Sequence, residues 1–126
     1  MGVHSVRLRD SLRQAYDRAM NEALKSVETF RLGAAVVRRR RVVATGRNKN
    51  HNSCGLSSIH AEMDAVFKCP KHHKAHVVVV RVMSDESTTG LSRPCDACTR
   101  ALRRMGVHRV TYTTGDPARP LATMWL

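Results

Sequence analysis

Aromatic side chains are scarce in this chain: one Trp, two Tyr and two Phe make up 4% of 126 residues. Binders of single-stranded nucleic acid stack bases on aromatic rings beside a basic groove, so the chain is short of such platforms. Cysteine occurs at only four positions, two of them as Cys95-x-x-Cys98, which suits a metal or redox site better than a disulfide framework. A reducing, intracellular location, cytoplasmic by default, is expected. Long apolar runs are absent. The longest candidate, Val77 to Val80, falls far below the ~20 residues that cross a bilayer, so no membrane association is expected. The opening MGVHSVRLRD carries charges where a signal peptide needs its apolar stretch. Acidic residues are also few: 10 Asp and Glu stand against 22 Lys and Arg, a formal charge of +12. That excess favours nucleotides, nucleic acid or anionic surfaces as partners and carries no information about the fold.

What remains is an ordinary globular composition, 42% hydrophobic and 25% charged, without repeats or linkers. One domain over residues 1–126 is expected. Leu8, Leu12, Ala15, Tyr16, Ala19, Ala23, Leu24 and Val27 recur at three- and four-residue spacing and predict a helix over about residues 8–27. Two valine-rich stretches, Phe30–Val37 and Val42–Gly46, flank Arg38 to Arg41 and predict an antiparallel hairpin with a charged, solvated turn. A polar loop from Arg47 to Ser58 follows. Ser57 or Ser58 then caps a helix from about Ile59 to Lys68, ahead of Pro70. His76–Met83 is apolar on both faces at its start, as a central strand would be. Ser84 to Arg93 reads as a loop. Pro94 fits the first turn of a helix stopping at Gly106, Arg109–Thr114 forms a last strand, and a short tail remains. The order α-β-β-α-β-α-β predicts an α/β fold in three layers, α-β-α, with a mixed sheet and a parallel crossover over residues 76–114.

Cys95 and Cys98, three apart in the first turns of a helix, can aim both sulfurs at one point, as tetrahedral zinc requires. Among the histidines, His60 stands at the mouth of a helix and is followed by an acid, Glu62. Positions i and i+2 diverge in a regular helix, so the two share a site only if His60 occupies an irregular first turn. Three protein ligands leave a fourth position for water, the arrangement of a catalytic zinc.

The pattern His60-x-Glu62 … Pro94-Cys95-x-x-Cys98 resembles the signature of the cytidine deaminase superfamily, in particular its CMP/dCMP-type domain, over nearly the whole chain. The resemblance implies a hydrolase that converts cytosine to uracil, with Zn2+ held by His60, Cys95 and Cys98. Glu62 would shuttle the proton, and backbone N–H groups near Ala61 and Cys95 would polarise a ring substituent or hold water. It also places Asn48 against sugar or base and Phe30 near the base. Each has a plainer reading, Phe30 as core and Asn48 as an Asx turn closing its loop. His60 as first ligand is similar to the dCMP, tRNA and polynucleotide branches. Ser92-Arg93-Pro94-Cys95-Asp96-Ala97-Cys98 looks closer to CMP/dCMP-type domains than to tRNA adenosine deaminases. Together with the few aromatics, this favours a cytosine mononucleotide, its phosphate met by Arg47, Lys49 or Arg93, over the alternative, single-stranded DNA or RNA. The tail is too short for the further strand and helix of many members, and a homo-oligomer is expected as in the superfamily.

Other assignments compete. With Cys54 as a fourth ligand, the zinc would be closed and structural, and the chain a non-catalytic module binding its partner through arginines. Cys69, His72, His73 and His76 have the composition of a second metal site, although neighbouring like charges favour a solvated loop. Trp125 is either an anchor for the tail or a lid over the base.

Overall fold

Ala15, Ala19 and Ala23, one turn apart and fully buried, give the first helix an edge thin enough for a strand to approach its backbone. The strand meets it with a glycine. A Cβ on Gly33 would stand 1.9 Å from the Ala19 carbonyl oxygen and 2.4 Å from the Ala23 nitrogen, so no other residue fits there. The computed structural model describes residues 2–50, 58–69 and 74–126. Its elements run α1 (Gly2–Lys25), β1 (Arg31–Arg38), β2 (Arg41–Arg47), β3 (Lys49–Asn50), β4 (Ser58–Ile59), α2 (Ala61–Phe67), β5 (Ala75–Val82), β6 (Thr89–Gly90), α3 (Asp96–Arg104), β7 (Val107–Thr113) and β8 (Leu121–Trp125).

The main sheet has the order β2-β1-β5-β7-β8, with β6 paired to the end of β5. Only β5 and β7 run parallel; the other pairs are antiparallel. Val77 to Val80 are all fully buried, as expected of a central strand covered on both faces. Alternation sorts the side chains into two cores. Ala35, Val37, Val78, Val80 and Val82 face α1, whereas Ala34, Val36, Val77, Val79 and Val110 face α2 and Leu102 of α3. The three layers and the mixed sheet therefore stand as expected.

Several boundaries move. Helix α1 ends at Lys25, so Val27 is 93% exposed and not part of the apolar stripe. Helix α2 begins at Ala61 because Ser58 and Ile59 are drawn into pairing with Asn50 and Lys49; Ser57 lies outside the described residues. The tail is not mere tail. Leu121–Trp125 returns as β8 beside β7, after a turn in which Gly115 takes φ +84° and Asp116 accepts the Ala118 N–H at 2.9 Å. The tail, expected to be too short for a further strand and helix together, thus forms the strand, and no helix follows it among the described residues. Trp125 pairs with Arg109 at the start of β7, at the other end of the strand from Thr113, which Ser92 bonds, so it is not a lid; its ring is 67% exposed and lies beside Arg109 and His108. The arginine turn is tight: Arg39 and Arg40 both take positive φ, 52° and 65°, and Ser11 on α1 donates to the Arg40 carbonyl at 2.9 Å.

Candidate active site

Two helix N-termini meet on the α2–α3 side, and each is opened by a residue with chemistry. His60 (φ −73°, ψ 153°) and Cys95 (φ −69°, ψ 166°) are the N-caps of α2 and α3, extended, with neither side chain spent on capping. Their carbonyls accept the first helical bonds, from Asp64 N–H at 2.9 Å and Thr99 N–H at 2.8 Å. The imidazole and the thiol therefore project from outside the helix barrel, which relieves the i, i+2 conflict between His60 and Glu62. Pro94 precedes the cap instead of sitting in the first turn, and Cys98 comes one turn into α3.

Nδ1 or Nε2 of His60 and the sulfurs of Cys95 and Cys98 all lie within 4.8 Å of one another, the only such cluster among the described residues. His60 Nδ1 is 3.1 Å from Cys98 Sγ and 3.9 Å from Cys95 Sγ. Tetrahedral zinc, with bonds of about 2.3 Å to sulfur and 2.0 Å to nitrogen, spaces its ligands roughly 3.5–3.8 Å apart, so this donor set fits the metal. Glu62 is 3% exposed, and its Oε1 is 3.8 Å from His60 Nδ1. Burial holds its carboxyl above the usual range, against the opposing pull of His60, its backbone N–H and Cys98. Burial likewise pushes the Cys98 thiol up, reinforced by Glu62 and Cys95. A cation held by these groups would favour their charged forms.

A cavity of about 270 Å³ opens over these groups and is walled by Phe30, Asn48, Ala61, Glu62, Arg93 and Cys95 among others. Phe30 is 59% exposed, with the Arg81 guanidinium 4.6 Å from its ring centroid, so the core reading fails. Asn48 does not form a local Asx turn. Its Oδ1 accepts from Leu32 N–H (3.0 Å) and Ser26 Oγ (2.8 Å), while Nδ2 donates to the Phe30 carbonyl (2.5 Å), clamping the start of β1. Both lone pairs of Oδ1 are occupied and one N–H of Nδ2 remains to face the cavity.

Of the expected phosphate partners, only Arg93 lines the cavity; Lys49 is 3.4 Å from Asp64 and Arg47 is 3.8 Å from Glu22. Ser92 enters the sequence reading only as the head of the Ser92-Arg93-Pro94-Cys95 segment, with no structural role assigned. It is 3% exposed, its Oγ donates to the Val79 carbonyl (2.8 Å) and accepts from Thr113 N–H (2.9 Å), and so it fixes the loop that delivers Arg93, Pro94 and Cys95. A buried serine inside a polar loop leaves no periodic signal. Cys54, His72 and His73 fall outside the described residues. Cys69 packs in the α2–α3 core, whereas His76 shares the α1 side of β5 with Val78, so those two do not share a metal.

The model of the cytidine and deoxycytidylate deaminase zinc-binding region matches residues 9–114. The chain belongs to this family. This deaminase is accordingly a zinc-dependent hydrolase of the cytosine-directed kind, with Zn2+ as its cofactor. Solved structures share its fold. A cytidine deaminase from Burkholderia pseudomallei aligns with a TM-score of 0.67 at 21% identity, covering 90% of this chain and 91% of that one. The apo dCMP deaminase of cyanophage S-TIM5 gives 0.65 at 18% identity, with 81% of both chains covered. A Mycobacterium tuberculosis cytidine deaminase gives 0.59 at 23% identity, covering 86% and 87%. No curated protein matches the chain significantly. No helix among the described residues is long and apolar enough to cross a membrane.

Proposed function

We propose that this deaminase acts on the cytosine of a mononucleotide, of the dCMP type, releasing ammonia and leaving uracil. The observation that carries the reading is the convergence of His60, Cys95 and Cys98 beside a buried Glu62 on one small cavity. His60, Cys95 and Cys98 would hold the zinc, which supplies the Lewis acidity that brings a water's pKa to about 7. Glu62 takes a proton from the attacking water, hands it to ring N3, and then assists the departure of the amino group as ammonia. Its raised affinity for protons suits a group that must both accept and return one. The Ala61 N–H, at the open start of α2, is a donor for the ring carbonyl. Asn48 can only donate to the cavity, so it would meet an acceptor oxygen of sugar or base. Phe30 offers one exposed ring face to the base.

Specificity for a mononucleotide is supported by what surrounds the cavity. Among the described residues lining it, Arg93 is the one Lys or Arg and Phe30 the one Phe, Tyr or Trp, enough for one phosphate and one base. Single-stranded nucleic acid would ask for a continued basic track with further rings. Exposed Phe67 and Leu91, at 64% and 56%, are apolar surface that a homo-oligomer would cover; light scattering showing only monomer would remove that part. The substrate is tested by ammonia release from dCMP, cytidine, single-stranded DNA and tRNA with one preparation at two salt concentrations. Turnover of dCMP with weak salt dependence is expected. Turnover confined to polynucleotides and falling steeply with salt would overturn the assignment.

A further inference from the structure

One buried carboxyl beside the active site takes no part in the chemistry above. Asp64 lies on α2 one turn after His60, whose carbonyl accepts its N–H at 2.9 Å, yet it does not line the cavity. Its side chain meets the end of β2. The strand comes onto the helix backbone there: a Cβ on Gly46 would stand 2.4 Å from the Ala65 nitrogen and 2.9 Å from the Ala61 carbonyl oxygen, so only glycine lets it pass. At the next residue Asp64 Oδ2 accepts the Arg47 N–H at 3.1 Å, and two residues further on Lys49 Nζ stands 3.4 Å from Oδ1. Lys68, one turn along α2, lies 3.0 Å from Oδ2 and also donates to the Thr45 carbonyl at 3.3 Å. Burial works against the charge of Asp64, but the bonds from Lys68 and the Arg47 N–H, with the charges of Lys68 and Lys49, outweigh it and hold the carboxyl below its ordinary range. It is therefore an acceptor at neutral pH.

Between the two residues that Asp64 holds stands Asn48. Its own bonds run to Ser26, Phe30 and Leu32, at the start of β1 and just past α1, and none of these ties it to α2. Asp64 supplies that tie. We propose that Asp64 is a positioning residue, which sets Asn48 relative to the His60 and Glu62 end of α2 and so fixes where an acceptor oxygen of the substrate is held. The inference rests on the reading that Asn48 donates to sugar or base. Asparagine at position 64 would keep an oxygen for the Arg47 N–H and lose only the charge, whereas alanine would release the strand. Sugar and base are common to nucleotide and nucleoside, so the effect falls equally on dCMP and cytidine, in contrast to that of a phosphate contact.

Steady-state kinetics of the zinc-loaded full chain with both substrates test this, at a temperature well below every melting transition. The comparison is of wild type, Asp64→Asn, Asp64→Ala, Asn48→Ala and the double variant Asn48→Ala/Asp64→Ala. Asp64→Ala should raise KM about tenfold for each substrate, with kcat within about twofold of wild type and zinc retained. Asp64→Asn should bring KM back to within about threefold of wild type, and the double variant should be no worse than Asn48→Ala. Asp64→Ser, too short to reach Arg47, takes the place of Asp64→Ala if that variant is insoluble. Unchanged KM in Asp64→Ala beside a raised one in Asn48→Ala would overturn the proposal and leave the role of Asn48 standing. Equal damage from Asp64→Asn, or a loss of zinc with a fall in kcat, would overturn it too, making Asp64 an ion-pair partner or a support of the metal ligands. Unchanged KM in Asn48→Ala, or turnover of neither substrate by wild type, would remove the underlying reading and the proposal with it.

Discussion

Acidification from pH 7 toward pH 4 should weaken this fold through one side chain, His76. It is 9% exposed, and its Nε2 lies 2.7 Å from Thr111 Oγ1, which in turn lies 2.9 Å from Thr123 Oγ1. Burial first, then Arg109 and His108, bring its pKa from 6.5 to about 4. His76 lines a cavity of about 350 Å³ together with Arg39, Arg40, Lys74, His108 and Arg109, and none of the described residues lining it is acidic. The unfolded chain takes up the proton near pH 6.5, whereas the folded one refuses it until about pH 4. Between those values the unfolded state binds more protons, so stability falls as pH falls. Over the whole gap, at about 1.36 kcal/mol per pH unit, the loss approaches about 3 kcal/mol. That is a large part of the roughly 5–15 kcal/mol a domain commands. Urea unfolding of wild type and His76→Gln at fixed zinc reads this as a difference, in which protonation of the metal ligands cancels. Glutamine keeps a partner for Thr111 but does not titrate. Wild type should lose about 3 kcal/mol more than the variant between pH 7 and 4, a midpoint difference of about 1–2 M urea. Parallel declines would refute the reasoning.

Three substitutions extend the account. Gly33→Ala drives a methyl into the α1 backbone 1.9 Å away and should cost more than about 3 kcal/mol, read as a large drop in melting temperature or insoluble protein. Asn48→Ala removes the bonds to Phe30, Leu32 and Ser26, so it should destabilise by about 1–3 kcal/mol and raise KM for dCMP; an unchanged melting temperature would contradict the clamp. Arg93→Ala should raise KM for dCMP about tenfold and leave cytidine kinetics nearly unaltered, and equal effects on both would deny it a phosphate role.

The layers and the metal cluster could be read from the sequence because each rests on a local pattern. Val77 to Val80 announces a buried strand, and Cys95-x-x-Cys98 with His60-x-Glu62 announces the His and Cys cluster and the buried carboxyl beside it. What escaped depends on partners far along the chain. Strand β8 exists because Thr123 and Met124 find β7, and Leu121–Trp125 alone is too short to declare itself. The sequence reads Asn48 as a contact to sugar or base or else as an Asx turn, and its bonds to residues 26, 30 and 32 lie outside both readings. Ser92 and Thr113 are buried polar groups that bond each other and the backbone of β5 and β6, partners up to 32 residues away in the chain. The cavity that His76 lines was hidden for the same reason: Arg39, Lys74 and Arg109 meet only once the sheet has formed.

The most direct test of the central claim measures zinc content and ammonia release together in wild type, Glu62→Gln and His60→Ala. About one zinc per chain in wild type and Glu62→Gln, with ammonia release abolished in Glu62→Gln, and zinc lost from His60→Ala, is the predicted result. Undiminished ammonia release from Glu62→Gln, or full zinc retention in His60→Ala, would contradict it.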